Sequence, residues 1–489
     1  MRWITMTQSN HEATQDLPFV RIKKAVITNM KSVQHGVIEF DCSKEYIPYG
    51  MHADILGLYG QNGSGKTTLI EALAILKQVM AGSRVSNVYA NCITASMPHA
   101  ELEFTFDLQY RSGQQRDAVY AFKLERIALS QEEIMEMYKD APSDFEIPEE
   151  EYKVRVYDEV LKLSWTDENG VRKNKQKIFD ASTVSSAFGP PDKRKEILGK
   201  DRKASFDLQV EKEYSFRQSK SFIFSKKTIE RIQQCETDTM YFQILLELRH
   251  YARYYFHVID TRSSGLIRLN VMLPIYTMHG SFMLDIRRHN TIPSDAVLAI
   301  NNEICKISEV LSQLVPGLSI FMKKLDSTVQ EDGSSKERIM LMAKRDDIEL
   351  PLRDESDGIR KIISELSLII AAYNEPSVTV AIDEFDAGVF EYLLGEVLEV
   401  MEETGKGQFI FTSHNLRPLE VLDKKYLYFT TTNPKKRYVR LKGISATNNL
   451  RDTYFREILV SEQADELYNR TKRFKLVAAL KKAGREDHE

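Results

Sequence analysis

The sequence predicts an α/β protein in which a mixed β-sheet is flanked by helices. Three observations predict this fold class. A glycine-rich loop, residues 60–67, stands between a short apolar strand and a helix. Far downstream, one apolar run of strand length ends in Asp383-Glu384, and another ends just before His414. Short, wholly apolar strands of this kind are typical of a sheet that is buried on both faces.

The composition is that of a protein with a large core. The chain has 489 residues, of which 42% are hydrophobic and 28% charged, so we expect two or three structural units. A net charge of −4 gives no global indication of nucleic acid or membrane binding. The four cysteines form no CxxC pair, and no apolar run of about 18 residues occurs. These features predict a cytoplasmic protein without disulfides, a thiolate zinc site or a membrane partner.

Strands and one helix surround the glycine loop. Residues 20–27 and 37–40 read as two strands around a short turn, and an apolar strand leads into the loop. A helix then runs to about Val79. Two runs in which apolar and polar residues alternate follow it, and they predict two further strands.

Residues 130–203 differ in composition, because an acidic run is followed by a basic run that opens with Gly-Pro-Pro. We expect an inserted, partly exposed region. Its charges fit either a solvated surface or a docking surface for a partner. Beyond it, residues 228–255 read as helical and residues 294–315 as an amphipathic helix. Asp346-Asp347 is the expected turn of a hairpin.

The glycine loop fits the phosphate-loop pattern GxxxxGK[ST] in full. Its glycines let several backbone N–H groups face a phosphate, and the following helix adds its positive end. Lys66 supplies a positive charge for the β- and γ-phosphates, and the Thr67 hydroxyl is a ligand for Mg²⁺. The candidate nucleotide-binding residues are Gly60, Gln61, Asn62, Gly63, Ser64, Gly65, Lys66, Thr67 and Thr68.

A phosphate loop needs an acidic partner at the end of a strand to hold Mg²⁺. Asp383 is placed for that role, directly or through water. Glu384 is the candidate base that polarises the attacking water. Glu384 and Lys66 are therefore candidate catalytic residues. His414 follows another strand and is placed to contact the γ-phosphate, although a lone histidine is more often structural.

Ser356 is a candidate N-cap for a helix whose apolar stripe begins at Ile359. The segment Ser356-Asp357-Gly358 therefore lies at a helix N-terminus, where the backbone dipole suits a phosphate. Simple capping is the alternative role for this serine.

In this order the motifs resemble those of the ABC-type ATPases, in particular the branch that contains the SMC, RecF and OLD proteins. Residues 355–358, Glu-Ser-Asp-Gly, correspond to a looser form of that family's signature. The first hairpin resembles one that lies near the nucleotide base in that branch. Asp386-Ala387-Gly388 stands in the place of the D-loop but departs from its usual sequence, and the Q-loop glutamine is not assigned.

The resemblance implies an ABC-type P-loop ATPase head with a helical or inserted lobe, which binds ATP and Mg²⁺. It implies that the phosphate-loop strand and the Asp-Glu strand are neighbours in a parallel sheet. It also implies a homodimer or higher oligomer whose heads pair head to tail. Ser356 and Gly358 of one copy would then act with Lys66, Asp383 and Glu384 of the other.

On this basis we expect five segments. They are a flexible N-terminal tail (1–18), the N-terminal part of the head with the phosphate loop (19–129), an inserted and helical region (130–335), the C-terminal part of the head (336–460) and a basic C-terminal helix (461–489).

Residues 355–449 are further similar to stand-alone bacterial phage-defence ATPases, such as the AbiLi-like abortive-infection proteins, Septu PtuA and PARIS AriA. The resemblance implies a role in antiphage defence. No DxD pair follows the Asp-Glu strand, and no HxH, HExxH or HNH cluster occurs. We therefore expect no nuclease activity in this chain and a separate effector protein, a nuclease, under its control.

Two alternatives stay open. The basic segments 435–442 and 470–482 fit a RecF- or SMC-like ATPase that binds DNA in repair or replication. The third hypothesis is a scaffold that binds ATP and turns it over very slowly.

Overall fold

The computed structural model describes residues 17–40, 52–139, 148, 150–167, 169–182, 186–235, 239–260, 272–277, 280–329, 334–387, 389–441, 450–460, 466–468 and 473–483. Residues 1–16 of the predicted tail, most of the predicted 461–489 segment and Gly388 lie outside this range.

The described residues form both β-strands and α-helices. The strands are β1 (Phe19–Met30), β2 (Val33–Glu39), β3 (Asp54–Tyr59), β4 (His99–Gln109), β5 (Gln115–Ala128), β6 (Tyr152–Thr166), β7 (Arg172–Asp180), β8 (Phe256–Ile259), β9 (Met272–Thr277), β10 (Gly280–Asp285), β11 (Asn290–Pro293), β12 (Leu318–Val329), β13 (Ser335–Arg345), β14 (Ile348–Pro351), β15 (Thr379–Ile382), β16 (Gln408–Thr412), β17 (Leu427–Thr430) and β18 (Tyr438–Val439). The helices are α1 (Lys66–Met80), α2 (Gln131–Met137), α3 (Pro191–Leu198), α4 (Arg202–Arg217), α5 (Lys226–Gln233), α6 (Met240–Tyr254), α7 (Val297–Leu314), α8 (Asp357–Asn374), α9 (Glu391–Thr404), α10 (Pro418–Val421), α11 (Leu450–Val460) and α12 (Arg473–Ala483).

Two six-stranded sheets carry the fold. The first is antiparallel, in the order β2-β1-β4-β5-β6-β7. The second has the order β18-β17-β3-β16-β15-β8. Its strands run parallel except for β18, which pairs antiparallel with β17. The second sheet is therefore mixed, as the sequence predicts.

The parallel sheet is covered on both faces. On one face, α1 and the inner side of the antiparallel sheet share a core that includes Leu58 of β3 and Leu73 of α1. On the other face, β15 and β16 pack against Leu394 and Leu398 of α9. Burial on both faces explains why β15 and β16 read as continuous apolar runs.

One implied detail of the sheet is wrong. The resemblance implies that the strand before the phosphate loop and the strand before Asp383 are neighbours, but β16 lies between β3 and β15. The order of parallel strands depends on how the connecting helices pack, which no local pattern of residues encodes.

A smaller sheet, in which β13 lies between β11 and β12 and also pairs with β14, packs with α7 and the ribbon β9–β10. The predicted amphipathic helix is confirmed, since Ile300, Ile304 and Ile307 face this core. The predicted hairpin is also confirmed, because β13 and β14 pair on either side of Asp346-Asp347. Apolar residues of α8 join this core and so connect it to the larger sheets.

The sheets continue across the predicted segment boundaries. Strands β6 and β7 fall in the predicted 130–335 region, yet β6 pairs with β5 of the N-terminal part of the head. Strand β8 falls in the same region and forms the edge of the parallel sheet. The division into five segments therefore stays a prediction about domains. Among the helices of the described part of the chain, none is long and apolar enough to cross a membrane.

Candidate functional site

The glycine loop joins β3 to α1 through a backbone that glycine alone adopts easily. Gly60, Gly63 and Gly65 all have positive φ, and Gly65 is the left-handed residue immediately before the helix. A Cβ added at Gly60 would overlap the hydroxyl of Thr430, because the loop passes close to the end of β17. The tightly curved conformation of this loop, which leads into the first turn of α1, therefore depends on its glycines.

Lys66 reaches back over this loop from the first turn of α1. Its Nζ donates hydrogen bonds to the carbonyl oxygens of Gly60 (2.7 Å) and Gln61 (3.1 Å). Burial lowers the pKa of Lys66, and the nearby carboxylates of Asp383 and Glu384 oppose that shift. The ammonium is thus fixed at the mouth of the loop, where a phosphate would lie.

Residues of β17 and β18 also hold the loop. The Tyr438 hydroxyl donates to the carbonyl oxygen of Gly65 at 2.8 Å. The Ser64 hydroxyl bonds the Thr430 hydroxyl and donates to Gln61 O at 2.6 Å. Sequence reasoning missed Thr430 and Tyr438, since nothing local links them to a loop more than 350 residues away.

Asp383 is buried at the carboxyl end of β15. Its Oδ1 accepts a hydrogen bond from the Thr412 hydroxyl at 2.6 Å and lies 3.4 Å from Thr67 Oγ1. The two predicted Mg²⁺ ligands, Thr67 and Asp383, are therefore brought together. Thr412, at the end of β16, orients this carboxylate and is a residue that sequence reasoning missed.

Glu384 follows in the turn that connects β15 to α9. Its side chain is exposed, and its φ is 50°, in the left-handed region. The backbone N–H donates to Thr412 Oγ1 at 2.8 Å, and Phe385 N donates to Thr412 O at 3.0 Å. Thr412 thus fixes both Asp383 and the start of the turn that carries Glu384.

His414 lies beside this turn, and Asp386 connects the two. One carboxylate oxygen of Asp386 accepts from the backbone N–H groups of His414 (3.1 Å) and Asn415 (2.8 Å). Burial is the main cause of a lowered pKa at His414, and Lys66 adds to it. The imidazole is therefore neutral near pH 7 and can both accept and donate hydrogen bonds.

These groups surround one open cavity of about 810 Å³. Its lining residues are Lys31, Ser32, Asn62, Gly63, Gly65, Lys66, Thr67, Thr68, Asn91, Asp383, Glu384, Asp386, Ala387, Thr412 and His414. Of the predicted residues, Gly60, Gln61 and Ser64 form the loop behind the cavity. Sequence reasoning did not anticipate Lys31, Ser32 or Asn91, which come from the β1–β2 turn and from a 3₁₀ turn, Asn87–Cys92.

Ser356 and Gly358 are not among the residues that line this cavity. Ser356 is exposed and caps α8, since its hydroxyl accepts from Ile359 N at 3.4 Å. The predicted N-cap is therefore confirmed. The predicted contact of these two residues with a phosphate stays a prediction that requires a second copy of the chain.

The site fits a nucleoside triphosphate with Mg²⁺. The curled loop presents N–H groups and a helix N-terminus to anionic oxygens. Thr67 and Asp383 offer two oxygen ligands, which is the usual protein share for Mg²⁺, with phosphates and waters supplying the remainder. The described residues, this site included, contain no cluster of three or more His, Cys, Asp or Glu side chains that could hold a metal ion by itself.

Comparison with known proteins identifies a family for this chain. The family described as "AAA ATPase domain" (AAA_15) matches residues 21–417, which is most of the chain. The chain belongs to this family. The match contains every predicted nucleotide-site residue, from Gly60 to His414. A comparison with curated proteins finds no match.

Solved structures similar to this AAA ATPase domain include heads of SMC proteins. The SMC head domain from Thermotoga maritima is 15% identical, with 86% of this chain and 100% of that chain covered and a TM-score of 0.33. An SMC head with a coiled coil and joint from Pyrococcus yayanosii is 11% identical, with 90% and 99% covered and a TM-score of 0.39. The recombination mediator RecF with ATP is 11% identical, with 81% and 94% covered and a TM-score of 0.32.

The predicted fold class is confirmed for this AAA ATPase domain. The family match and the mixed sheet with flanking helices both support an α/β ATPase head. The roles of the individual site residues stay predictions.

Proposed function

We propose that this chain binds ATP with Mg²⁺ and hydrolyses it, that two copies pair head to tail, and that the nucleotide state controls a separate effector in antiphage defence. One observation carries the enzymatic part of this proposal. Lys66, Thr67, Asp383, Glu384 and His414, which are scattered over the sequence, line one cavity in the folded chain.

These side chains have different roles towards the phosphates, Mg²⁺ and the attacking water. The loop N–H groups and Lys66 bind the β- and γ-phosphate oxygens, and Thr67 and Asp383 hold Mg²⁺. When bound there, Mg²⁺ would supply positive charge beside the phosphate oxygens. Glu384, which is among the residues that line the cavity, orients the attacking water and accepts a proton from it. His414, as a neutral imidazole, bonds the γ-phosphate.

The proposal of a dimer rests on two features of the single chain, the exposed N-terminus of α8 and the open cavity. Ser356 is exposed at the N-terminus of α8 and lies outside the cavity lining of its own chain. The cavity itself is open to solvent. A second copy that places its α8 N-terminus there adds a hydroxyl and a positive helix end to the phosphate.

Substitution of Glu384 tests the enzymatic proposal. We expect Glu384→Gln to bind ATP normally, to lower turnover by a factor of at least about 100 and to accumulate as an ATP-bound dimer. Lys66→Ala removes the phosphate-binding cation, so we expect loss of nucleotide binding. Glu391→Gln, an exposed glutamate at the start of α9 that does not line the cavity, is the matched control. Turnover by Glu384→Gln at the wild-type rate would show that Glu384 is not the base.

The effector part rests on the resemblance of residues 355–449 to phage-defence ATPases. Co-expression with the product of the neighbouring gene, followed by affinity purification with ATP, tests it. We expect a complex that depends on Lys66. A chain that stays alone under all nucleotide conditions would refute the proposed effector.

A second candidate is DNA binding of the RecF or SMC kind. Arg473, Lys475 and Lys482 of α12 are all exposed, and no acidic residue occurs in this helix. If this helix binds DNA, we expect duplex DNA to stimulate ATP turnover and the affinity for DNA to fall steeply as the salt concentration rises. Salt-independent or absent binding would reject this candidate.

A further inference from the structure

A buried lysine outside the predicted site reaches the catalytic turn. Lys361 lies in the first turns of α8, and the residue is only 6% exposed. Its Nζ donates to the carbonyl oxygen of Glu384 at 2.6 Å and to that of Ala387 at 2.9 Å. One ammonium group therefore bridges both ends of the turn that follows β15.

This turn contains a backbone conformation that needs support. Glu384 has φ 50°, which costs a non-glycine residue energy because Cβ approaches the backbone. Thr412 Oγ1 accepts the Glu384 N–H, and Lys361 donates to the Glu384 carbonyl. The two peptide groups that flank the Glu384 Cα are therefore held from opposite sides, one by β16 and the other by α8.

A buried carboxyl group lies beside Lys361. Glu365 lies one helical turn further along α8, is 1% exposed, and places Oε1 3.6 Å from Lys361 Nζ. Burial raises the pKa of Glu365 to about 8, the ammonium of Lys361 opposes this shift, and Asp386 adds to it. A buried contact between a lysine and a carboxyl group contributes little to stability, so a role in positioning is the more informative explanation of its presence.

We propose that Lys361 is a positioning residue for hydrolysis, which holds Glu384 in its left-handed conformation and connects it rigidly to α8. This inference rests on the proposed catalytic role of Glu384. Because α8 begins immediately after Ser356, a shift of the 383–387 turn is transmitted to the surface that a second copy would contact. In the proposed dimer, the 383–387 turn belongs to the site formed on this chain's own phosphate loop, and Ser356 belongs to the site on the partner copy. Lys361 thereby links the two sites.

The experiment compares Lys361→Met with Lys361→Arg and with Lys212→Met. Methionine keeps the length and apolar stem of lysine but cannot donate. Arginine keeps the charge and the donors. Lys212 is a second buried lysine, on α4, that does not line the cavity, so Lys212→Met controls for the loss of a buried ammonium elsewhere. For each variant we would measure kcat, KM, nucleotide affinity and amide hydrogen exchange across residues 383–387.

We expect Lys361→Met to lower kcat by at least about tenfold, while KM and nucleotide affinity change by less than about twofold. Amides of the turn should exchange faster, with no change in β3 or α1. Lys361→Arg should recover a substantial part of kcat, and Lys212→Met should match the wild type.

Two results would overturn the inference. One is a Lys361→Met protein whose kcat and turn exchange both equal those of the wild type. The other is a protein in which exchange rises throughout the chain and kcat and nucleotide affinity fall together, because a purely structural role has that effect. If Lys361→Met does not fold, Lys361→Gln, which is too short to bridge both carbonyls, takes its place in the same measurements.

Failure of the proposed function is distinguishable from failure of this inference. A wild-type chain without ATP turnover would refute the enzymatic proposal. The exchange of the 383–387 amides would still decide whether Lys361 holds the turn.

Discussion

Replacement of Thr412 by valine is the sharpest test of how the site is built. The Thr412 hydroxyl donates to the buried carboxylate of Asp383 at 2.6 Å and accepts from the N–H of Glu384 at 2.8 Å. Valine has nearly the same shape, so no cavity forms in the sheet. Loss of a hydrogen bond to a charged group costs about 1.5–3 kcal/mol, and an unsatisfied buried N–H costs about 1–3 kcal/mol. The expected destabilisation is therefore about 2.5–6 kcal/mol.

Denaturant unfolding and steady-state turnover measure this change. We expect Thr412→Val to unfold at lower denaturant, to require more Mg²⁺ for half-maximal activity and to have a lower kcat, because Asp383 and Glu384 both lose an orienting partner. Thr412→Ser keeps the hydroxyl and should recover most of the stability and activity. A Thr412→Val protein within about 1 kcal/mol of the wild type and with normal Mg²⁺ dependence would refute this description of the site.

Two further substitutions test the loop and the buried carboxylate. Gly60→Ala places a Cβ against the Thr430 hydroxyl at positive φ, so we expect loss of ATP binding by calorimetry with the sheet still folded; normal affinity would contradict the loop geometry. The raised pKa of Glu365 means that its contribution to stability is complete below its unfolded pKa near 4.5 and is lost as the pH rises to about 8. Glu365→Gln removes this dependence, so its stability relative to the wild type should rise by up to about 1.4 kcal/mol per pH unit between pH 5 and 8. A difference in melting temperature that is independent of pH would show that Glu365 titrates normally.

The local parts of the site could be predicted from the sequence. The phosphate loop is a contiguous pattern with an apolar strand before it and a helix after it, and Gly60 to Thr67 adopt the expected arrangement. Asp383 and His414 were identifiable because each follows an apolar strand directly. Ser356 was identifiable as a cap because an apolar stripe with helical spacing begins three residues later.

The residues that hold these groups in place could not be predicted in the same way. Thr412, Tyr438 and Lys361 act through hydrogen bonds to groups that are distant in sequence. A threonine at a strand end or a lysine within a helix carries no local signal of such a contact. Only the packing of α8, β16 and β18 around the phosphate loop and the 383–387 turn brings them together.

Some strands were also hidden from sequence reasoning. β7 is an edge strand with the sequence RKNKQKIFD, and its first six residues are exposed, so it lacks the alternation that marks a half-buried strand. β8 is only four residues long and begins where the predicted helical segment ends, and so short a run gives no periodicity from which to predict a strand. The position of β16 between β3 and β15 is a property of the whole sheet.

Mixing two inactive variants is the most direct test of the central claim that each site uses residues from two copies. Lys66→Ala disables the phosphate loop, and Ser356→Arg places a bulky cation at the exposed N-terminus of α8. A mixed dimer of these chains retains one intact site. In an equimolar mixture, about half of the randomly paired dimers are mixed, and each mixed dimer has one active site where a wild-type dimer has two. We therefore predict about a quarter of wild-type turnover. Turnover no greater than the sum of the two separate variants would contradict a shared site.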